Sequence, residues 1–215
     1  MAEQDPKHDA KTRAIRIQAE RTPHKEHAVP VYLTSSFVFD DAEEMRAAFA
    51  DEIDRPIYSR FSNPNVDEFV ARVCALEGAD AGYATASGMA AVFATFAGLC
   101  GAGDHILSSR SVFGATHTLL TKILPRFGID HAYGDVDDLA SWERAITPKT
   151  KLIYVETPTN PSADVIDLAQ LGKLAKEHGL ILVVDNCFAT PAITRPLDFG
   201  AHLSLHSAKI GRAHV

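Results

Sequence analysis

The stretch that most limits how this chain can fold is Leu180-Ile-Leu-Val-Val-Asp-Asn-Cys-Phe188. An unbroken run of Leu, Ile and Val without polar alternation suits a strand buried on both faces, and such strands belong to parallel sheets covered by helices on each side. The run stops at Asp185 and Asn186. Polar side chains therefore stand at the strand's carboxyl end, the edge where open α/β sheets bind their ligands. Leu203-Ser-Leu-His-Ser-Ala-Lys209 reads as a second apolar strand finishing at the same edge, with Lys209 at its close. An acid and a lysine in one crevice suit cofactor chemistry. By themselves they fit equally well a turn cap at Asp185 and a solvated end at Lys209.

The remaining pattern agrees with that sheet. From Gly82 onward strand-like and helix-like segments alternate: strands over 105–108 and 151–156, helices over 116–127, 135–146 and 167–178, the last ending at Gly179 as a C′ glycine. Trp142 is expected to pack on the sheet. Alternation of this kind gives an α/β fold with a mostly parallel sheet. Before it lie a polar arm up to about Glu26, an extended apolar stretch over 29–39, a helix over 40–51 opened by paired acids, and a helix over 66–76.

Composition narrows the function classes. A chain of 215 residues with 46% hydrophobic and 23% charged residues has the make-up of a globular protein with one good-sized core. A net charge of −7 without a basic cluster argues against a nucleic-acid surface. No apolar run is long enough to cross a bilayer, so no membrane partner is expected. The amino terminus lacks the apolar core of a signal peptide, which makes cytoplasmic residence the expectation. Three scattered cysteines exclude a disulfide framework and any C-x-x-C motif. Cys74 and Cys100 read as core, and Cys187 as structural, because no histidine partner is evident. Ten histidines include no H-E-x-x-H pair, and His202 and His206 lack a third ligand, so no metal site is expected.

Several short motifs could meet a ligand at the sheet edge. Tyr58-Ser-Arg-Phe-Ser-Asn-Pro64 combines an aromatic, hydroxyls, Arg60 and an Asn-Pro turn, which suits an anion or a plain surface turn. At Tyr83-Ala-Thr-Ala-Ser-Gly-Met89 a short strand is expected to turn through Ser87, Gly88 and Met89 into an alanine-rich helix. The free N–H groups of such a helix start can cradle a phosphate, although serine there is also the commonest plain N-cap. Phe113 stands where an aromatic could stack on a planar ligand or simply join the core. Thr157-Pro-Thr-Asn-Pro161 would aim Asn160 at the same edge. Gly101-Ala-Gly103 precedes a strand instead of following one, so it is no dinucleotide fingerprint.

Together these amount to a phosphate cradle, a stacking aromatic, an acid for a ring nitrogen and an amine for a Schiff base, the partners that pyridoxal 5'-phosphate needs. The same residues resemble the trans-sulfuration enzymes of the cystathionine γ-synthase group. The likeness runs from Thr34-Ser-Ser-Phe37 through Tyr58–Pro64, Thr85-Ala-Ser-Gly-Met-Ala-Ala91 and Glu156-Thr-Pro-Thr-Asn-Pro161 to Val184-Asp-Asn-Cys-Phe188. Ser111-Val-Phe-Gly114 and Asp185-Asn-Cys-Phe-Ala-Thr-Pro191 look most like the O-succinylhomoserine sulfhydrylase branch. The resemblance implies the large domain of a fold-type I PLP-dependent transferase. Ser87, Gly88, Met89 and Ser207 would hold the phosphate, Phe113 would stack on the ring, Asn160 would join the cofactor site, and Asp185 would keep the ring nitrogen protonated. Tyr58 and Arg60 would reach the phosphate of a neighbouring subunit, implying a homodimer or homotetramer. Lys209, by position, and Tyr58 complete the implied catalytic set. The implied reaction is γ-replacement in methionine biosynthesis, with O-succinylhomoserine and sulfide giving homocysteine. Cystathionine γ-synthase, cystathionine γ-lyase and methionine γ-lyase are the neighbouring activities, and an inert cofactor-binding fragment is the reading from another class.

The segment around the lysine departs from the group. There it reads Ser-Ala-Thr-Lys and leads on to a carboxyl-terminal domain, whereas this chain reads Ser207-Ala208-Lys209-Ile210 and stops at Val215. Ile210-Gly-Arg-Ala-His-Val215 is what the codons ATC GGA AGA GCA CAC GTC encode, a common sequencing-adapter read. The expectation is an arm and inter-subunit segment over 1–60, a truncated cofactor-binding domain over 61–209, a non-native tail over 210–215 and a missing carboxyl-terminal domain. On this expectation Lys209 is itself a junction codon, and the chain as written is a poor enzyme.

Overall fold

The computed structural model describes residues 9–17 and 21–209, so the expected tail over 210–215 lies outside the described residues. The chain forms two compact units that divide between Ala84 and Thr85.

The first unit holds three helices, α1 (Ala10–Arg16), α2 (Ala42–Phe49) and α3 (Pro64–Glu77). Each begins at a side chain that replaces a missing backbone acceptor. Asp41 accepts from the Glu44 N–H at 2.8 Å, and Glu44 returns a carboxylate to the Asp40 N–H at 2.7 Å. Asn63 caps α3, Pro64 presets its first turn, and Gly78 closes it at φ 74°. The apolar stretch over 29–39 stays extended without becoming a strand. Side-chain amides hold it: Asn65 accepts from the Tyr32 N–H at 2.8 Å and donates to the Pro30 carbonyl at 2.7 Å, while Asn63 donates to the Tyr32 carbonyl at 3.1 Å.

The second unit is the expected α/β fold. Strands β1 (His105–Ser109), β2 (Asp130–Gly134), β3 (Thr150–Glu156), β4 (Ile181–Asp185) and β5 (Leu203–Leu205) form one parallel sheet in the order β2-β1-β3-β4-β5. Alternate side chains feed two cores. Ile106, Leu152, Tyr154 and Val183 pack with Val92 and Phe96 of α4 (Gly88–Leu99) on one face. Leu107, Ile153, Val155, Leu182 and Val184 pack on the other face with Trp142 of α6 (Leu139–Ala145) and with Leu171, Leu174 and Ala175 of α7 (Leu168–His178). Trp142 lies on the sheet as expected: a Cβ added at Gly134 would come within 2.2 Å of its ring.

Three local expectations change. No strand forms at Tyr83, where the chain is irregular up to the start of α4. The helix expected over 116–127 begins as α5 (Gly114–Thr118), widens to a π turn over Leu119–Ile123 and tightens to a 3-10 turn over Leu124–Phe127. Pro125 has no N–H to continue the α ladder, and Gly128 ends the run at φ 74°. Strand β2 was not anticipated. It is an edge strand whose middle residues are only half-buried, so its sequence lacks the apolar run that marked β4.

Candidate functional site

The site builds up from the carboxyl ends of β3, β4 and β5. Asp185 closes β4 and remains half-buried. Its Oδ1 accepts the Cys187 N–H at 3.0 Å, and the phenol of Tyr154, buried beneath it, lies 3.4 Å from Oδ2. Burial first, and then the Asp185 and Glu156 carboxylates, hold that phenol well above its ordinary range, so Tyr154 keeps its proton and can only donate towards Asp185. Cys187 continues the brace, its sulfur accepting the Ser207 N–H at 2.9 Å. Burial and the neighbouring Asp185 push the thiol far up, which agrees with a structural part and not a nucleophilic one.

Ser207 meets the start of α4. Ser87 caps this helix, accepting the Ala90 N–H at 3.1 Å, and Thr85 donates to the Ser87 carbonyl at 2.8 Å. The first N–H groups, at Gly88 and Met89, have no acceptor within the helix. A Cβ added at Gly88 would stand 2.9 Å from the Ser207 Cβ and 3.3 Å from its hydroxyl. Glycine is therefore what allows the helix start and the serine to approach. Thr116 of α5 completes the floor, its hydroxyl pointing at the Met89 sulfur at 3.9 Å.

Glu156 closes β3 in register with Asp185 and is 5% exposed. Its Oε1 accepts the Phe113 N–H at 2.8 Å and its Oε2 accepts the Asn160 N–H at 3.2 Å. Burial and then Asp185, partly offset by these two N–H donors, raise the carboxyl to about 7. The Phe113 ring remains 44% exposed, free to present a face. Asn160 sits in a loop that Thr159 and Asp164 close on themselves.

The structure thus brings Ser87, Gly88, Met89 and Ser207 together as one cluster, with Asp185 reached through Cys187. Glu156 links the backbones of Phe113 and Asn160. Tyr58 and Arg60 belong to the first unit, on a loop tied by an antiparallel bridge between Ser36 and Tyr58. There the Arg60 guanidinium lies 5.4 Å over the Tyr58 ring and 5.0 Å over that of Phe61. Strand β5 stops at Leu205, so Lys209 does not end it as expected; the lysine is exposed on a turn four residues beyond. The sequence motifs place neither Tyr154 nor Glu156 in the site, and Cys187, expected to be structural, ties Asp185 to Ser207. For Glu156 the signal was available, because an acid that ends an apolar strand is the feature that singled out Asp185. Among the described residues no three His, Cys, Asp or Glu side chains gather to hold a metal, and no helix is long and apolar enough to cross a membrane.

Residues 11–209 match the family of Cys/Met metabolism PLP-dependent enzymes. An O-succinylhomoserine sulfhydrylase of Pseudomonas aeruginosa is 49% identical over 197 residues, covering 92% of this chain and 49% of the relative. An L-methionine gamma-lyase of Pseudomonas putida is 41% identical over 198 residues, covering 92% and 50%. A solved Campylobacter jejuni protein carrying N'-pyridoxyl-lysine-5'-monophosphate superposes with a TM-score of 0.90 at 32% identity, over 94% of this chain and 50% of its own. The chain spans about half the length of the curated relatives it matches.

Proposed function

This chain belongs to the family of Cys/Met metabolism PLP-dependent enzymes, and we propose that the protein it forms part of makes homocysteine from O-succinylhomoserine and sulfide. The observation that carries the cofactor site is the approach of Gly88 to Ser207: a Cβ at Gly88 would stand 2.9 Å from the Ser207 Cβ and 3.3 Å from its hydroxyl, at a helix start whose first N–H groups have no acceptor within the helix. Ser87, Gly88, Met89 and Ser207 hold the phosphate there. Phe113 offers its exposed ring face for stacking, and Asn160 borders the same edge. The Asp185 carboxylate, steadied by the Cys187 N–H, retains a proton on the ring nitrogen. Tyr58 and Arg60 serve a neighbouring subunit's phosphate, which makes the active unit at least a dimer.

Bound pyridoxal phosphate supplies the electron sink that makes the substrate α-proton removable. A lysine amine beyond Ser207 would take up a proton from Cα and one from Cβ and return them after the nucleophile has added. The Cγ–O bond to succinate breaks and a C–S bond to sulfide forms at the same carbon. Lys209 comes one residue before the position that amine would occupy, because no threonine follows Ala208. The choice of succinyl ester is supported by the 49% identity to the Pseudomonas aeruginosa sulfhydrylase. The test offers the intact protein O-succinylhomoserine with sulfide, O-succinylhomoserine with cysteine, and methionine alone. Homocysteine from the first pair is the expected product. Cystathionine from the second would replace this reading with synthase activity. Methanethiol from methionine would favour the lyase, the second reading, which rests on the 41% identity to the Pseudomonas putida enzyme.

A further inference from the structure

The carboxyl edge of the sheet holds two acids in register, and the proposed function uses only one. Glu156 and Asp185 are Cα partners at the ends of β3 and β4, and strand alternation puts both side chains on the face that carries Tyr154. A second carboxylate there is costly, since burial and like charge both oppose its ionised form. The ionisable groups that face it are Tyr154 on its own strand, Asp185 on β4 and Cys187 just beyond β4. None is a cation, so no ion pair offsets the cost. What the carboxylate does have is two backbone N–H donors on two separate loops, at Phe113 and at Asn160.

We propose that Glu156 is a positioning residue, a buried tie that sets Phe113 and Asn160 at a fixed spacing beside Asp185 and so shapes the slot that receives a flat aromatic ring. The inference rests on the cofactor reading of the same edge. Phe113 is the last residue before α5 and its ring is not itself buried; its carbonyl takes the His117 N–H at 3.0 Å, and the bond from its N–H to Glu156 ties the backbone beneath the ring to β3. On the other side, Thr159 and Asp164 close the 159–164 loop locally, and the Asn160 N–H anchors that loop to the strand. One carboxylate with two syn-accessible oxygens can accept both bonds. An amide presents only one acceptor and turns an NH₂ towards the other donor.

The substitutions E156Q and E156D in the intact protein separate positioning from simple packing. In wild type, hydrogen exchange at the Phe113 and Asn160 amides is expected to be protected before any cofactor is added. In E156Q at least one of the two should exchange about tenfold faster, and equilibrium dialysis should show pyridoxal phosphate binding about tenfold more weakly. E156D stops one methylene short and should lose one tie, falling between the two; it carries the test if E156Q does not fold. Unchanged protection overturns the tie. Lost protection with unchanged cofactor affinity overturns the positioning role and leaves Glu156 structural. A wild-type protein that binds no pyridoxal phosphate overturns the cofactor reading first and this inference with it, an outcome seen in wild type and therefore distinct from either variant result.

Discussion

Glu156 and Asp185 end neighbouring strands at the same height, yet their surroundings differ in kind. Glu156 is 5% exposed and spends both oxygens on backbone N–H groups. Asp185 is half-buried, takes one N–H from Cys187 and keeps an oxygen directed towards a weakly placed phenol 3.4 Å away. The first is saturated by the protein; the second has accepting capacity left for a ligand. A position at the carboxyl end of a strand brings a side chain to the edge, and the hydrogen-bond partners decide whether it serves the fold or the ligand.

The largest expected effect sets the two acids against each other. Asp185→Ala should weaken pyridoxal phosphate binding by about 100-fold or more, because on the proposed cofactor reading it removes the charge that would face the ring nitrogen, against about tenfold for Glu156→Gln. Equal losses in dialysis would mean that the acids share one role, and the comparison would fail. Next is Gly88→Ala. Its backbone is not in the left-handed region, so the helix tolerates alanine, but the new Cβ meets Ser207 at 2.9 Å. The cradle should narrow and affinity fall about tenfold while the melting temperature drops only slightly. A variant that binds as wild type does would remove the cradle from the argument.

The places of Asp185 at a strand end and of Gly88 at a helix start were legible in the sequence because each sits beside a strong periodic signal, an apolar strand that ends abruptly and an alanine-rich helix that starts at a serine. The mostly parallel sheet with helices on both faces follows from the same runs. Strand β2 was not legible, since an edge strand with half-buried middle residues carries no unbroken apolar run. The π and 3-10 turns after α5 depend on where Pro125 falls in the hydrogen-bond ladder, a backbone matter that side-chain periodicity does not report. The Cys187 brace and the Phe113 half of the tie at Glu156 join residues 20 and 43 positions apart, so no local window contains them.

A smaller effect tests the protonation of Glu156. Folding raises its carboxyl from an ordinary 4.5 to about 7. Between those values the folded chain binds a proton that the unfolded chain releases. The contribution of this group to stability is therefore fully present below about pH 4.5 and is lost as pH rises to about 7, a change of roughly 3 kcal/mol at most. Urea unfolding of wild type and Glu156→Gln at pH 5 and pH 8 isolates it. The variant should gain on wild type as pH rises, because glutamine resembles the protonated acid. A constant gap would place the Glu156 titration outside this range and leave the charge of the tie without a folding cost.

The smallest effect concerns the thiol between Asp185 and Ser207. Burial and the Asp185 charge raise Cys187, and burial raises Cys100 to about 11, so both should be almost entirely thiol at pH 8. Iodoacetamide at that pH should label neither appreciably in the native protein, and mass spectrometry of the digested chain reads this directly. Asp185→Ala removes part of what holds the Cys187 thiolate off, and it removes the acceptor for the Cys187 N–H. Labelling of Cys187 should rise modestly in that variant while Cys100, whose environment is independent of Asp185, stays as it was. Fast labelling of Cys187 in wild type would show an open, ionised thiol, incompatible with a sulfur that accepts the Ser207 N–H, and the brace joining the ends of β4 and β5 would have to be given up.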